Sequence, residues 1–203
     1  MEEVDRFDFC NLPASARSNA YIDGPLPIGN NATISAPHMH AFALEAALPF
    51  VVPGSGQRVL DVGSGSGYLC VAFAKLLGEG GTVYGIEHIQ SLVDFGRNNC
   101  NQHYSHLLAQ GRIHFICEDG RKGFQSGAPY DIIHVGAAAD QIPEPLIDQL
   151  KVGGVLIIPL GVGDNYQLMK TLKKMNDGSL KDISPYCSAV RFVPLTDAAS
   201  QLK

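Results

Sequence analysis

The chain has 203 residues, 45% of them hydrophobic, which suits one α/β domain with a single core and leaves little room for two. Its formal net charge is −5 and no Lys/Arg run is longer than Lys173-Lys174, so the basic footprint of a nucleic-acid binder is missing. The N-terminus carries Glu2, Glu3, Asp5, Arg6 and Asp8 where a signal peptide needs an apolar run, and no segment has the length of a membrane span. Residues 1 to 37 are broken by Pro13, Pro25, Pro27 and Pro37 and are expected to wrap the surface irregularly. From His38 to Val52, Met39, Phe42, Ala43, Ala46, Ala47 and Phe50 recur at helical spacing, predicting an amphipathic helix on the edge of a sheet. Pro53-Gly54-Ser55-Gly56 ends it.

Strands and helices then alternate. The pattern predicts strands at 58–62, 82–87, 112–117, 130–135 and 154–160, with helices at 66–77, 89–104 and 143–150. Gly78 to Gly81 and Gly153-Gly154 read as stops after helices. Two extended runs, 166–175 and 179–195, flank Asn176-Asp177-Gly178 and predict an antiparallel hairpin. The expected fold is a single α/β domain spanning 1–203: an N-terminal segment, then a doubly wound, mostly parallel core over 38–203 closed by a C-terminal antiparallel hairpin. Five cysteines, Cys10, Cys70, Cys100, Cys117 and Cys187, are scattered without a C-x-x-C, which argues against a disulfide framework or a zinc site. No metal is expected, and a cytoplasmic monomer without membrane or nucleic-acid partners is.

Val59-Leu60-Asp61-Val62-Gly63-Ser64-Gly65-Ser66-Gly67-Tyr68 carries most of the functional signal. A buried strand runs into alternating glycines that let the backbone approach a ligand, and the helix beyond offers its N-terminal amides. A dinucleotide loop, G-x-G-x-x-G/A, needs a small third residue, and here that position is Tyr68. Glycines at 63, 65 and 67 with Asp61 before them resemble instead the loop of class I methyltransferases, which bind S-adenosylmethionine. Thr82-Val83-Tyr84-Gly85-Ile86-Glu87 ends in a carboxylate placed to hold ribose hydroxyls. Read alone, these could be tight-turn glycines and a surface glutamate. After the fourth strand, His134-Val135-Gly136-Ala137-Ala138-Ala139 lacks the Asn/Asp, prolines and aromatic of enzymes that methylate base amines.

Several blocks together resemble one family. They are Ala32-Thr33-Ile34-Ser35-Ala36-Pro37-His38-Met39-His40, Leu60 to Gly67, Glu118-Asp119-Gly120-Arg121, Pro129-Tyr130-Asp131 through Ala138, Leu150 to Gly154, and Val193-Pro194-Leu195-Thr196-Asp197. Over residues 17 to 197 the chain is similar to the protein-L-isoaspartate O-methyltransferases, and the first block is peculiar to them. The resemblance implies a Rossmann-like methyltransferase that esterifies isoaspartyl, and by extension D-aspartyl, residues in damaged peptides and proteins. Its methyl donor would be S-adenosylmethionine and its product S-adenosylhomocysteine. The family's active-site serine falls on Ser35. Its cofactor contacts fall on Ala32, Thr33, Ile34, Ser35, His40, Asp61, Gly63, Gly65, Glu87, His88, Glu118, Asp119 and Thr196, with Asp119 beside the adenine amino group. Glu87 stands where relatives often have Asp. Relatives also begin with a few dozen further residues, so a weaker hold on the cofactor is expected if those residues cover it.

A carboxylate with an ordinary pKa near 4 is ionised at neutral pH, so this transfer needs alignment and a dry site rather than a general base. Ser35 would orient the acceptor by a hydroxyl hydrogen bond; on spacing alone it reads equally as the N-cap of the helix opening near Pro37. His38 and His40 form an H-x-H pair for which packing is expected over metal, His103 and His106 fall on a polar helix face, and Cys70 reads as a buried small hydrophobe. The Tyr21 to Asn31 loop and the Val190 to Leu195 run are expected to wall a peptide groove, with Pro27 and Ile28 contributing to peptide affinity. Three alternatives stay open at this stage: a nicotinamide oxidoreductase, a methyltransferase of small acids or alcohols, and a cofactor-binding protein without turnover.

Overall fold

The computed structural model describes residues 2–161, 166–185 and 188–203. In chain order the elements are β1 (Leu26–Gly29), β2 (Ala32–Ile34), α1 (Pro37–Ala47), β3 (Arg58–Val62), α2 (Tyr68–Leu77), β4 (Thr82–Glu87), α3 (Gln90–Ala109) and β5 (Ile113–Cys117). They continue with β6 (Tyr130–Val135), α4 (Glu144–Gln149), β7 (Leu150–Leu160), β8 (Gln167–Lys174), β9 (Leu180–Asp182), β10 (Ser188–Val190) and α5 (Ala198–Gln201). An eight-stranded sheet runs in the order β10-β8-β7-β6-β3-β4-β5, with β9 also paired to β8. Strands β3 to β7 are mutually parallel, and β8 turns back antiparallel along β7. This is the doubly wound sheet with a closing antiparallel end that the sequence pattern predicts.

Alternate residues of each strand feed opposite faces, as a pleated strand requires. Val59, Val83, Ile132 and Ile157 pack with Phe73 and Leu77 of α2 on one face. Leu60, Ile86, Ile133 and Leu156 pack with Leu146 of α4 on the other. Helix α2 is buried almost all round, since it lies on the sheet and also touches α1 and α3. Because β3 lies between β4 and β6, the connections leave it in opposite directions and a crevice opens at its carboxyl end.

The structure revises several expectations. Residues 1 to 37 are more ordered than their prolines suggest: 3-10 turns span Arg6–Phe9 and Ala14–Tyr21, and β1 and β2 form an antiparallel hairpin. Its turn places Asn30 and Asn31 at φ 50° and 56°, a left-handed pair that asparagine tolerates better than most residues. Helix α1 lies over β7, an interior strand, rather than on the sheet edge, and it stops at Ala47 before a short 3-10 turn. Helix α3 continues past the expected end to Ala109, with a break in helical geometry at Tyr104. Gly153 and Gly154 stop no helix, for they lie inside β7, where the pairing with β6 shifts register. The second run of the hairpin is not one strand but two short ones, β9 and β10, both paired with β8. Cys187 lies outside the described residues; Cys10, Cys70, Cys100 and Cys117 are free.

Phe73 of α2 is fully buried against the sheet. Phe73→Ala is expected to cost about 3–5 kcal/mol of stability, read as a lower urea midpoint with the slope unchanged.

Candidate functional site

The glycine run after β3 is shaped by bonds to both neighbouring strands. The amides of Gly63 and Ser64 donate to the Ile86 carbonyl at 2.8 and 2.9 Å, and the Gly136 amide donates to Val62 at 2.8 Å. Gly63, Gly65 and Gly67 all take positive φ, at 78°, 46° and 83°, which side chains rarely tolerate. Helix α3 closes on the loop from behind. A Cβ on Gly96 would lie 2.8 Å from the Gly65 carbonyl, and Asn99 Nδ2 donates to the Ser66 carbonyl at 3.1 Å.

Beneath the loop, Asp61 is almost fully buried. His134 Nδ1 lies 2.7 Å from its Oδ1, and the Cys70 thiol donates to Oδ2 at 3.3 Å. Cys70 is therefore a polar partner as well as a small hydrophobe, and burial beside this carboxylate pushes its thiol well up. At the end of β4, Glu87 accepts from the Ile89 amide at 3.2 Å and also from the amides of His88 and Gly65. Burial raises its pKa above the usual glutamate value, while nearby His88 and those amides oppose the rise.

Above these groups lies a cleft of about 1220 Å³. Gly63, Gly65, Glu87, His88 and Gly120 form one side, and Pro25, Ala32, Thr33, Ser35, Ala36, His38 and Met39 form another. The stretch from Ala189 to Thr196 closes the third and is tied to the end of β6, with the Ala138 amide donating to Val193 at 2.8 Å and the Leu195 amide to Ala138 at 2.7 Å. Gln201 of α5 joins two of these sides: its Oε1 lies 2.7 Å from His88 Nε2, and its Nε2 donates to the Asn30 carbonyl at 2.9 Å.

Of the residues expected at the site, Ala32, Thr33, Ser35, Gly63, Gly65, Glu87, His88 and Thr196 line this cleft. Ile34, His40, Asp61, Glu118 and Asp119 do not. Strand alternation sends Ile34 into the core. His40 is buried and stacks on Tyr68 at 4.5 Å, its Nδ1 without a protein partner; burial first, then the charge of Arg6, pushes its pKa down to about 3. Asp119 caps the turn Gly120–Lys122 and pairs with Arg121 at 2.7 Å, so Gly120 rather than the Asp119 carboxylate faces the cleft. Glu118 is exposed. Ser35 is no helix cap, because Ala36 holds that position. His38 is exposed on the rim and pairs with Asp23 at 2.8 Å. His103 and His106 are exposed as expected, although His103 Nδ1 lies 3.5 Å from Asp8.

Sequence reasoning missed Gly136, Ala137, Ala138, Asp140 and Gln167, which also line the cleft. The first four follow β6 directly, and the rule that ligands bind beyond the carboxyl ends of strands could have found them. Of the expected peptide walls, Pro25 and the run from Val190 to Leu195 face the cleft; Pro27 is exposed outside it, and Ile28 packs under the loop, 3.2 Å from where a Gly65 Cβ would stand. Arg191 is the single Lys or Arg on the lining among the described residues, against Glu87 and Asp140. Such a lining suits a cationic or neutral nucleoside better than a diphosphate. Among the described residues no His, Cys, Asp and Glu cluster could hold a metal, and no helix is long and apolar enough to cross a membrane.

A doubly wound sheet with this glycine loop, an acid ending the next strand and an antiparallel end is the Rossmann-like methyltransferase fold. Residues 1–200 match the family model for protein-L-isoaspartate(D-aspartate) O-methyltransferase. The chain belongs to that family. It is 48% identical over 203 residues to protein-L-isoaspartate O-methyltransferase 2 of Arabidopsis thaliana, spanning all of this chain and 62% of that protein. It is 44% identical over 201 residues to the Caenorhabditis elegans protein-L-isoaspartate O-methyltransferase, spanning 99% of this chain and 84% of that one. A Plasmodium falciparum chain described as a protein-L-isoaspartate O-methyltransferase, crystallised with S-adenosyl-L-homocysteine, superposes with a TM-score of 0.82 at 32% identity. That match covers 96% of this chain and 87% of the other.

The close approach of α3 to the loop makes a local prediction. Gly96→Ala should cost about 1–3 kcal/mol through overpacking, and hydrogen exchange of the amides from 63 to 67 should quicken more than exchange in α4.

Proposed function

We propose that this chain esterifies the free carboxylate of L-isoaspartyl, and by extension D-aspartyl, residues in damaged peptides and proteins, with S-adenosylmethionine as donor and S-adenosylhomocysteine as product. One observation carries the reading. The glycine loop with Glu87, and Ala32, Thr33 and Ser35 of the segment to which the resemblance assigns both donor and acceptor, line a single cleft. The acceptor side is read as the part of that lining around Ser35.

The residues present suit the donor. Glu87 offers a carboxylate for a ribose diol, the positive-φ glycines leave room for close approach, and no cluster of cations waits for phosphate. When bound, the donor supplies a methyl group on a positively charged sulfur. The chain then needs neither a base nor a nucleophile of its own, since the acceptor carboxylate is already ionised. Its work is to hold that carboxylate in line and to remove water from it. Ser35, half-buried on the acceptor wall with its carbonyl already fixed by Arg6, is the residue assigned to orient the carboxylate. Asp61 and His40 act from beneath: Asp61 anchors the loop through His134, and His40 packs on Tyr68. Contacts from Ile34, Glu118 and Asp119 would need backbone atoms or a shift on binding.

The reading extends to a single domain acting as a monomer in the cytoplasm on peptides and proteins, not nucleic acid. Its support is four free cysteines among the described residues, for a reducing compartment, and a net charge of −5, against a nucleic-acid partner.

The test is methanol released after incubation with matched peptides containing isoaspartate or aspartate; release from the isoaspartyl peptide alone is expected, and equal release from both would refute the assignment. Ser35→Ala should lower kcat/KM by roughly 5- to 150-fold, the loss of about 1–3 kcal/mol for a hydrogen bond to a charged group. Glu87 must be ionised to accept from a ribose diol, and its pKa is raised. Donor affinity measured by calorimetry should therefore fall on acidification, with a midpoint above the ordinary glutamate value of 4.5, whereas Glu87→Gln should bind weakly with no such dependence.

A further inference from the structure

Arg6 is used by nothing in that mechanism beyond its bond to Ser35, yet its burial is costly. It is 4% exposed, and its guanidinium donates to three backbone carbonyls: Ala20 at 2.7 Å, Ser35 at 2.7 Å and Gly24 at 3.2 Å. No carboxylate among the described residues forms an ion pair with it. Asp23, the carboxylate that favours its charge after the nearby Cys10 and Tyr68, is exposed and engaged with His38. Carbonyl dipoles satisfy one N–H on each guanidinium nitrogen without cancelling the charge, and a buried cation left in that state is ordinarily selected against.

The place of the charge suggests its use. Ser35 lines the acceptor wall, and Gly24 precedes Pro25, which lines it too. The field therefore enters the cleft from behind the acceptor wall, whereas the Lys, Arg, Asp and Glu residues on the lining itself, Glu87, Asp140 and Arg191, belong to other segments. The low pKa of His40, to which Arg6 contributes after burial, agrees with a field that reaches into this corner.

We propose that Arg6 is a positioning residue that makes the acceptor wall selective for an anion: it fixes the Ser35 backbone and supplies an uncancelled positive charge behind it. This rests on the reading of the cleft as the site of carboxylate esterification. Through a low-dielectric wall such a charge favours a carboxylate over a neutral isostere without touching it.

The test uses the full chain and two peptides alike except at one group, the isoaspartyl carboxylate or its neutral isoasparaginyl amide. Dissociation constants for both, in the presence of S-adenosylhomocysteine, are measured for wild type, Arg6→Gln and Arg6→Lys, with circular dichroism to check folding. Wild type should prefer the anionic peptide by about tenfold or more. Arg6→Lys should keep most of that preference while lowering kcat, because an ammonium retains the charge but not the three-way geometry. Arg6→Gln should reduce the preference to about twofold or less and leave S-adenosylhomocysteine affinity nearly unchanged. Equal loss for both peptides in Arg6→Gln, loss of the preference in a folded Arg6→Lys, or a wild type that does not distinguish the peptides would overturn the proposal. If Arg6→Gln does not fold, the wild-type ratio and Arg6→Lys still decide. Wild type that shows the preference, lost in Arg6→Gln, yet forms no methyl ester would refute the proposed function and leave the role of Arg6 standing.

Discussion

The site depends on how one buried carboxylate is satisfied. Asp61, at the end of the central strand, is 2% exposed, and a carboxylate in that position is tolerable only with partners. It finds His134 on the adjacent strand and Cys70 on the following helix, so β3, β6 and α2 are bound together beneath the glycine loop. Directly above, the amides of Gly63, Ser64 and Gly136 are taken up by the carbonyls of Ile86 and Val62. The loop is held from below and from both sides, and its open face is left to a ligand.

Strand ends make the side of the cleft proposed for the donor, whereas the side proposed for the acceptor comes from segments distant in sequence. The β1–β2 hairpin, the stretch after β10 and α5 meet there through a few specific bonds, among them Gln201 to His88 and to Asn30. Such walls can vary between relatives without disturbing the sheet, because the bonds that hold them are few and lie at the surface. Arg6 is the exception. It ties three carbonyls of the N-terminal segment into one unit and brings a charge behind a wall whose own lining holds no Lys or Arg.

Much of the fold was legible in the sequence because its signals are local. Short apolar runs, Gly78 to Gly81 after a helix and the Gly63 to Gly67 loop each act over a few residues, and each led to the right element. Errors came where a local signal was outweighed by distant contacts. Gly153 and Gly154 look like a helix stop but serve a register shift against β6. Prolines in the first 37 residues suggested irregularity, yet Asn30 and Asn31 turn that segment into a hairpin whose strand β2 carries the acceptor wall.

By itself the sequence determined the class of sheet, the place of the glycine loop and the acid that ends the second strand of the core, since chain direction and residue type are sufficient for those. Only the tertiary structure decided which expected residues face the cleft. Ile34 and Ser35 are neighbours, but Ile34 packs in the core while Ser35 lines the cleft; Asp61, near the end of β3, and Asp119, after β5, are both acids, but His134 and Arg121, each brought near by folding or by a turn, draw them away from the lining. The same packing put Arg6 behind Ser35, a proximity across 29 positions of chain that no spacing rule could convey.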